Sequence, residues 1–365
     1  MINDYIKKTT DFLNKHEYII ALLITLMVVI AGAFMGWYNN KVVIQSPNPI
    51  GHYNGVESHG LSFLANWDGN NYISIAEHGY PTVKQANFMP LYPMLIKLVN
   101  LVVPSPLASG LIVSWACLSV AIFFLIKIVK ELFNVTTGIK SLNYILFFVF
   151  FPTSIFLVAV YTEAMFAMLA FGAIFFALKR KYLLSGLLLS LDVITHINGI
   201  FVVPLVLILL YKKGLPPLKI LATMVISGLG LAGFSAYLLV RFNSPLAFVL
   251  SQQSHGWLNQ HYNELFSSVD LFNLIFVILI LISAYYWYRR KRIEFSVYSL
   301  AFLLIPLIGN QWGGFNRYML SNYPISLMIY DALKNKEVLL KVALIATSIA
   351  WAYFTFQFAG GYIGG

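Results

Sequence analysis

Apolar runs of bilayer length alternate along this chain with short polar segments rich in lysine and arginine. A membrane span needs about 20 predominantly apolar residues. Eleven runs approach that length: 19–38, 107–129, 142–160, 163–178, 183–198, 199–211, 218–240, 270–288, 295–310, 317–333 and 338–358. The pattern predicts an all-α polytopic membrane protein forming one transmembrane domain over residues 1–365. A further apolar run, "FMPLYPMLIKLVNLVVP" at 88–104, is interrupted by Pro90 and Pro93 and carries Lys97 at its middle.

The basic residues decide whether 88–104 crosses. With a cytoplasmic N-terminus and 88–104 not spanning, all of the 24 basic residues except Lys41, Lys84, Lys97, Arg241 and Arg317 fall on the cytoplasmic side. Making 88–104 a span would flip every later connection, against the positive-inside bias. The run is therefore expected to lie along the outer surface, its prolines giving an irregular entry to a short interfacial helix. This arrangement gives a first outer loop at about 39–106 and a second at about 241–269. The cytoplasmic connections are too short to house soluble nucleotide-sugar chemistry. The first apolar run is too long for a signal-peptide core and is expected to stay as an anchor.

Composition agrees: 59% of residues are hydrophobic and 10% charged, against about 25% charged in soluble domains. The net charge of +10 does not point to nucleic acid, because the basic residues sit in short clusters between apolar runs. One cysteine, Cys117, provides neither a disulfide framework nor a thiolate metal site. The seven histidines lack zinc spacing, and no paired acidic motif calls for a divalent metal, although such an ion is compatible with the chemistry below.

Chemistry concentrates in the outer loop sequence "NWDGNNYISIAEHGYP" at 66–81. Asp68 is either a turn former or helix cap, in an Asp-Gly pair of the kind common in turns, or a general base near the outer interface. Trp67, Tyr72 and Tyr80 offer ring faces to a sugar or lipid, and His78 adds a titratable group. Glu163, in "FPTSIFLVAVYTEAMF", is either a first-turn acid behind a Thr162 cap or, with Tyr161, part of the floor of the outer site. Asp192 and His196 in "SLDVITHING" stand four apart, as a mutual pair on one helix face or with His196 and Asn198 turned to a ligand headgroup. Arg241 reads as a headgroup anchor. Arg317 reads as an anchor or as a bidentate grip on a lipid phosphate. His255 is a weaker candidate on the second loop. Two motifs carry no such weight. "GLGLAG" at 228–233 lies inside a span with no preceding strand, which favours helix packing over dinucleotide binding, and the sequon Asn134-Val135-Thr136 falls on the cytoplasmic side.

Taken in order, "NWDGNNYISIAEHGY", "FMPLYPML", "FPTSIFLVAVYTEAMFA", "THINGIFVVP", "NSPLAFVLSQQSHGW" and "NRYMLSNYP" resemble the motifs of PIG-V-like mannosyltransferases and their bacterial relatives, over about residues 60–330. The resemblance implies a GT-C fold, with the active site on the outer face and membrane-lying helices in the first outer loop. It also implies a polyprenyl-phosphate sugar donor and an acidic base in that loop. Asp68 matches the family acid, with Trp67, Gly69 and Tyr80 as its frame. Pro90, Leu91, Tyr92 and Pro93 match the second motif, and Glu163 the acid of the third. The chain departs from the family at Asn66, where a basic residue is common, and near His196, where an arginine is common.

The expected protein is an inverting membrane glycosyltransferase that moves a mannose-like hexose. The donor is a lipid-linked sugar and the acceptor a hydroxyl on a glycan, glycolipid or glycoprotein, with reaction on the extracytoplasmic side of the cell membrane. No cofactor beyond the donor is expected, and no nucleic-acid partner. A transporter or flippase of lipid-linked sugars is the alternative, although no internal repeat of the kind transporters carry is visible.

Overall fold

The computed structural model describes residue 12 and residues 16–42, 60–135, 138–254, 271–309 and 314–361. Every regular element among them is helical. Helix α1 (Glu17–Val42) is followed by the short helices α2 (Asp68–His78) and α3 (Leu91–Asn100), and then by the long α4 (Pro106–Phe133) and α5 (Gly138–Val149). The central helices are α6 (Glu163–Leu178), α7 (Tyr182–Val193), α8 (Gly199–Lys212), α9 (Pro217–Phe242) and the short α10 (Ala247–Ser254). The chain closes with α11 (Leu271–Arg289), α12 (Ile293–Ala301), α13 (Leu304–Gly309), α14 (Phe315–Tyr318), α15 (Tyr323–Leu333) and α16 (Glu337–Ala359).

Among the described residues, five helices are long and apolar enough to cross a membrane: Glu17–Tyr38, Pro106–Phe133, Pro217–Phe242, Leu271–Arg289 and Glu337–Ala359. They carry much of their apolar surface outward. Leu22, Phe34, Leu229, Val240, Ile282 and Ile349 are all exposed, which suits helices solvated by lipid tails. The remaining expected spans are shorter or broken. The 142–160 run stops being α-helical at Val149 and continues as irregular chain with one short 3-10 turn at Ser154–Leu157. The 183–198 run ends as helix at Val193, 295–310 breaks between Ala301 and Leu304, and 317–333 divides into α14, a 3-10 turn and α15.

Irregular backbone at membrane depth survives only inside protein, where its polar groups find partners. The 150–162 stretch meets that condition. It is buried almost throughout, the Val160 N–H donates to the Leu64 carbonyl at 2.8 Å, and the indole of Trp115 donates to the Val158 carbonyl at 2.9 Å.

Helix α6 is the hub: it packs on α4, α7 and α8, while α1 packs on α4 and α16, and α15 on α5. Its faces are apolar all round, with Phe166, Phe171 and Ile174 buried, as expected for a helix enclosed on every side. The run at 88–104 yields only the ten-residue α3, too short to span. Tyr92, Pro93 and Ile96 face the protein, while Met94, Leu98, Leu101 and Val102 are exposed. The helix thus sets one apolar face on protein and leaves a second apolar face open.

Candidate functional site

The "NWDG" stretch folds around a strained residue. Trp67 has φ 57° and ψ −118°, a backbone region that costs a bulky residue on the order of 1–3 kcal/mol and clusters at functional sites. That bend makes Asp68 the first residue of α2, so its carboxylate sits at a helix N-terminus. The Asp68-Gly69 pair stands where a turn, closed by the Gly69 N–H on the Asn66 carbonyl at 3.2 Å, runs into the helix, and Trp67 instead of Asp68 holds the N-cap position. Gly69 allows a close approach here, since a Cβ would crowd the Val160 carbonyl oxygen at 3.2 Å. The tight approach of α2 to the 150–162 stretch is what brings Asp68 beside Glu163.

Between the two acids lies Arg317, from the opposite end of the sequence. Its NH1 donates to Asp68 Oδ2 at 2.6 Å, and its Nε faces Glu163 Oε1 at 3.2 Å. Its NH2 donates to the Tyr318 hydroxyl at 3.3 Å. The guanidinium also lies over the rings of Tyr318, Tyr161 and Phe156, 5.0–6.0 Å from their centroids. A planar fork that pairs with carboxylates and stacks on aromatic rings fits this position better than a lysine would. The two acids differ in access: the Asp68 side chain is 19% exposed and that of Glu163 3%. Asp68 is the acid that a substrate can reach.

A polar frame fixes Asp68 from behind. Its backbone N–H donates to the Tyr161 hydroxyl at 3.2 Å, and that hydroxyl donates to the Asn66 carbonyl at 3.0 Å. The Asn66 side-chain amide in turn donates to the Phe358 carbonyl at 3.2 Å, which ties the loop to α16. The Thr162 hydroxyl lies 3.5 Å from both the Tyr72 hydroxyl and Glu163 Oε2, and it makes no capping bond to α6. The acid-in-first-turn reading of Glu163 therefore holds without the expected Thr162 cap. Tyr72 stacks edge-on against Phe88, Tyr92 and Tyr161. Tyr92 bonds Ser114 at 2.7 Å and the Gly110 carbonyl at 3.1 Å, and Tyr80 donates to the Phe88 carbonyl at 2.7 Å. Burial holds the phenols of Tyr72, Tyr80 and Tyr92 above their ordinary range, so all three remain protonated donors at neutral pH.

The structure thus gathers Asp68, Tyr72, Tyr161, Glu163 and Arg317 into one cluster, with Tyr92 behind it. Trp67 stands at its edge, its buried indole N–H without a partner among the described residues. His196 approaches from the other side, its ring edge-on to Phe166 and Tyr318. The expected pairing of His196 with Asp192 does not form. The helix ends at Val193, the His196 Nδ1 accepts from the Asn198 N–H at 3.2 Å, and both Asp192 carboxylate oxygens are buried without a partner among the described residues. The His196 backbone N–H still reaches the Asp192 carbonyl at 3.0 Å, but its ring is turned to the Asn198 N–H, so the two side chains do not pair. Asn198 is buried at the start of α8. His78 is exposed at the far end of α2, and His255 lies outside the described residues. Tyr318 and Phe156 join the cluster without having been singled out, and Asn66, noted only as a departure from the family pattern, joins it by accepting from the Tyr161 hydroxyl. Only the adjacency of Tyr318 to Arg317 hinted at any of them.

Comparison with known proteins follows this geometry. A family model described as mannosyltransferase (PIG-V) matches residues 15–287, a stretch that contains Asp68 and Glu163 and stops short of Arg317. The GPI alpha-1,6-mannosyltransferase 2 of Mus musculus is 30% identical over 154 residues, covering 38% of this chain and 30% of that protein. The GPI mannosyltransferase 2 of Drosophila pseudoobscura pseudoobscura is 34% identical over 122 residues, covering 31% of this chain and 26% of that protein. The aligned stretch therefore spans under a third of these relatives' length. Among solved structures, the archaeal oligosaccharyltransferase AglB from Archaeoglobus fulgidus, in complex with an inhibitory peptide and a dolichol-phosphate, superposes with a TM-score of 0.46 at 12% identity. That superposition covers 93% of this chain and 56% of that one. With the family model matching most of its length, this chain belongs to the PIG-V mannosyltransferase family.

Proposed function

We propose that the protein is an inverting GT-C glycosyltransferase that moves a mannose-like hexose from a polyprenyl-phosphate donor to an acceptor hydroxyl on the extracytoplasmic face. The observation that carries this reading is the unequal pair of acids on one arginine: Glu163 is enclosed, and Asp68 is open on one side and held at a helix N-terminus. Asp68 takes the proton of the acceptor hydroxyl as its oxygen bonds to the anomeric carbon. The bond from that carbon to the phosphate oxygen breaks, and its electron pair leaves with the phosphate. Positioned general-base help of this kind is worth roughly 10²- to 10⁴-fold.

Arg317 is already committed to carboxylates. In this reading it orients Asp68 and compensates Glu163 instead of gripping the donor phosphate. The outer location rests on the asymmetry of basic residues and on α3, which is too short to reverse it.

The test is transfer by purified protein from a synthetic polyprenyl-phosphate mannose, with the product's anomeric configuration read by NMR. Inversion relative to the donor is expected. Retained configuration, or no transfer from any polyprenyl-phosphate hexose, overturns the reading. For the side of the membrane, Asn70→Cys in a Cys117→Ser background should react with an impermeant thiol reagent on intact cells. Labelling only after the membrane is opened reverses the topology.

A further inference from the structure

Displacement at an anomeric carbon needs a second group besides the base, one that meets the negative charge left on the phosphate as the carbon–oxygen bond breaks. Arg317 is occupied by Asp68 and Glu163, but it makes a third contact. Its NH2 donates to the hydroxyl of Tyr318, a half-buried residue at the end of α14. Among the described residues, that hydroxyl has no acceptor for its own proton. The neighbouring phenols differ. Tyr161 donates to the Asn66 carbonyl, Tyr80 to the Phe88 carbonyl, and Tyr92 bonds Ser114 and the Gly110 carbonyl.

A hydroxyl that accepts from a cation becomes a stronger donor in turn, because each hydrogen bond polarises the next. Tyr318 is therefore a neutral group through which the charge of Arg317 reaches beyond the two carboxylates. The guanidinium also sets its position: NH1 holds Asp68 and NH2 holds Tyr318. An inverting displacement places base and leaving group on opposite sides of the anomeric carbon. Here one rigid fork fixes a base on one arm and a free O–H on the other.

His196 supplies a second such group. Its ring stands edge-on to Tyr318, with the centroids 5.5 Å apart. Because Nδ1 accepts from the Asn198 N–H, the proton of the neutral ring is on Nε2. That N–H has no partner among the described residues. Two adjacent donors without acceptors select a ligand that is rich in acceptor oxygens and has few hydrogens to give. A phosphate fits that description. A sugar hydroxyl, which must also donate, fits it less well.

We propose that the Tyr318 hydroxyl contacts the leaving phosphate of the donor, with the His196 Nε2–H beside it as a second hydrogen-bond donor. The inference rests on the donor class and the base given under Proposed function. As the acceptor oxygen bonds to the anomeric carbon, the acceptor's proton passes to Asp68. The electron pair of the breaking carbon–oxygen bond goes to the phosphate oxygen, which accepts the two hydrogen bonds while both protons stay on Tyr318 and His196. Arg317 acts through Tyr318 and is a positioning residue.

The test is equilibrium binding of decaprenyl phosphate to the purified protein, with decaprenol as the uncharged comparison. Tyr318→Phe keeps the ring that packs on Arg317 and His196 and removes only the hydroxyl. It should weaken decaprenyl phosphate binding at least about tenfold, as expected for losing a hydrogen bond to a charged group, and leave decaprenol unaffected. In transfer assays kcat should fall at least about tenfold with the acceptor KM unchanged. His196→Ala should weaken decaprenyl phosphate selectively as well, and His196→Gln, whose amide keeps an N–H, less so. Wild-type decaprenyl phosphate binding by Tyr318→Phe overturns the proposal. So does an equal loss of decaprenol, which would make Tyr318 a packing residue only. Should Tyr318→Phe not fold, wild-type binding by His196→Ala overturns it. The two readings fail separately. Selective loss of phosphate binding in a protein that transfers no sugar refutes the enzymatic reading alone, whereas equal binding and transfer by wild type and Tyr318→Phe refute the role of the hydroxyl alone.

Discussion

The two ends of α6 solve the same electrostatic problem in opposite ways. At the Lys179 end, each buried or half-buried carboxylate has two cations. Glu17 faces Lys127 and Lys130, and Glu131 faces Lys179 at 2.7 Å and Lys213 at 3.6 Å. Glu294 faces Lys212 at 2.5 Å and Arg292 at 3.7 Å, and Asp331 faces Lys334 at 2.6 Å and Arg290 at 3.8 Å. At the Glu163 end the ratio inverts, with one arginine serving Asp68 and Glu163. The first arrangement over-compensates each acid and ties helices together. The second sets two carboxylates on one cation beside an opening, the arrangement in which the proposed base would act. The number of cations per acid separates the clamps from the proposed reactive site even though the residue types are the same.

The largest effect should come from removing the more exposed carboxylate, Asp68. Asp68→Asn keeps the size of the side chain and should preserve folding, but it cannot accept the acceptor's proton. Single-turnover transfer should fall by at least about 10²-fold, with donor binding little changed. Asp331→Asn at the other end should leave transfer per folded molecule at the wild-type level. Wild-type transfer by Asp68→Asn, or an equal loss in Asp331→Asn, would erase the functional contrast between the ends.

Next comes Arg317, the one cation that faces Asp68 and Glu163 among the described residues. Arg317→Ala leaves Glu163 buried without a partner, and breaking a buried pair in this way typically costs about 3–5 kcal/mol. Thermal unfolding should shift down markedly. Glu163→Gln in the same background should restore much of the loss, because it removes the stranded charge. Arg317→Lys should recover stability only in part, since one ammonium cannot reproduce a fork shared by two acids. If Glu163→Gln gives no rescue, the arginine is not held by the acids as described.

Much of this was legible in the chain before folding. The 66–81 motif marked Asp68 because a carboxylate among aromatic residues is conspicuous in so apolar a sequence, and the 88–104 prolines marked a helix that does not cross. What pattern reading missed depends on tertiary partners. The 142–160 run is apolar enough to read as a span, yet it unwinds after Val149, since buried backbone partners such as Leu64 let irregular chain persist there. Asp192 and His196 have helical spacing, but the helix stops between them. Arg317 was visible as an out-of-place cation. Its occupation by two acids was not, because residues 68, 163 and 317 meet only through the packing of α2 and α6 with the short α14. The glycines of 228–233 read as helix packing, which holds for Gly230 and not for Gly233.

The smallest effect, and the sharpest check on the comparison, lies with Glu17. It is 7% exposed and shared between two lysines, so loss of either one leaves the acid compensated. Both lysines are partly solvated, with 36% and 24% of their side chains exposed, and screening weakens what each contributes. Lys130→Ala alone should therefore cost less than about 1 kcal/mol, as should Lys127→Ala. The double variant strands Glu17 in the way that Arg317→Ala strands Glu163, and its loss should exceed the sum of the two single losses, as neighbours sharing one partner do. Unfolding curves for the three variants, set beside Arg317→Ala, decide the point. Strict additivity, or a Lys130→Ala loss as deep as that of Arg317→Ala, would mean that the second cation provides no redundancy. The difference between the two ends of α6 would then lie in burial and not in the number of charges.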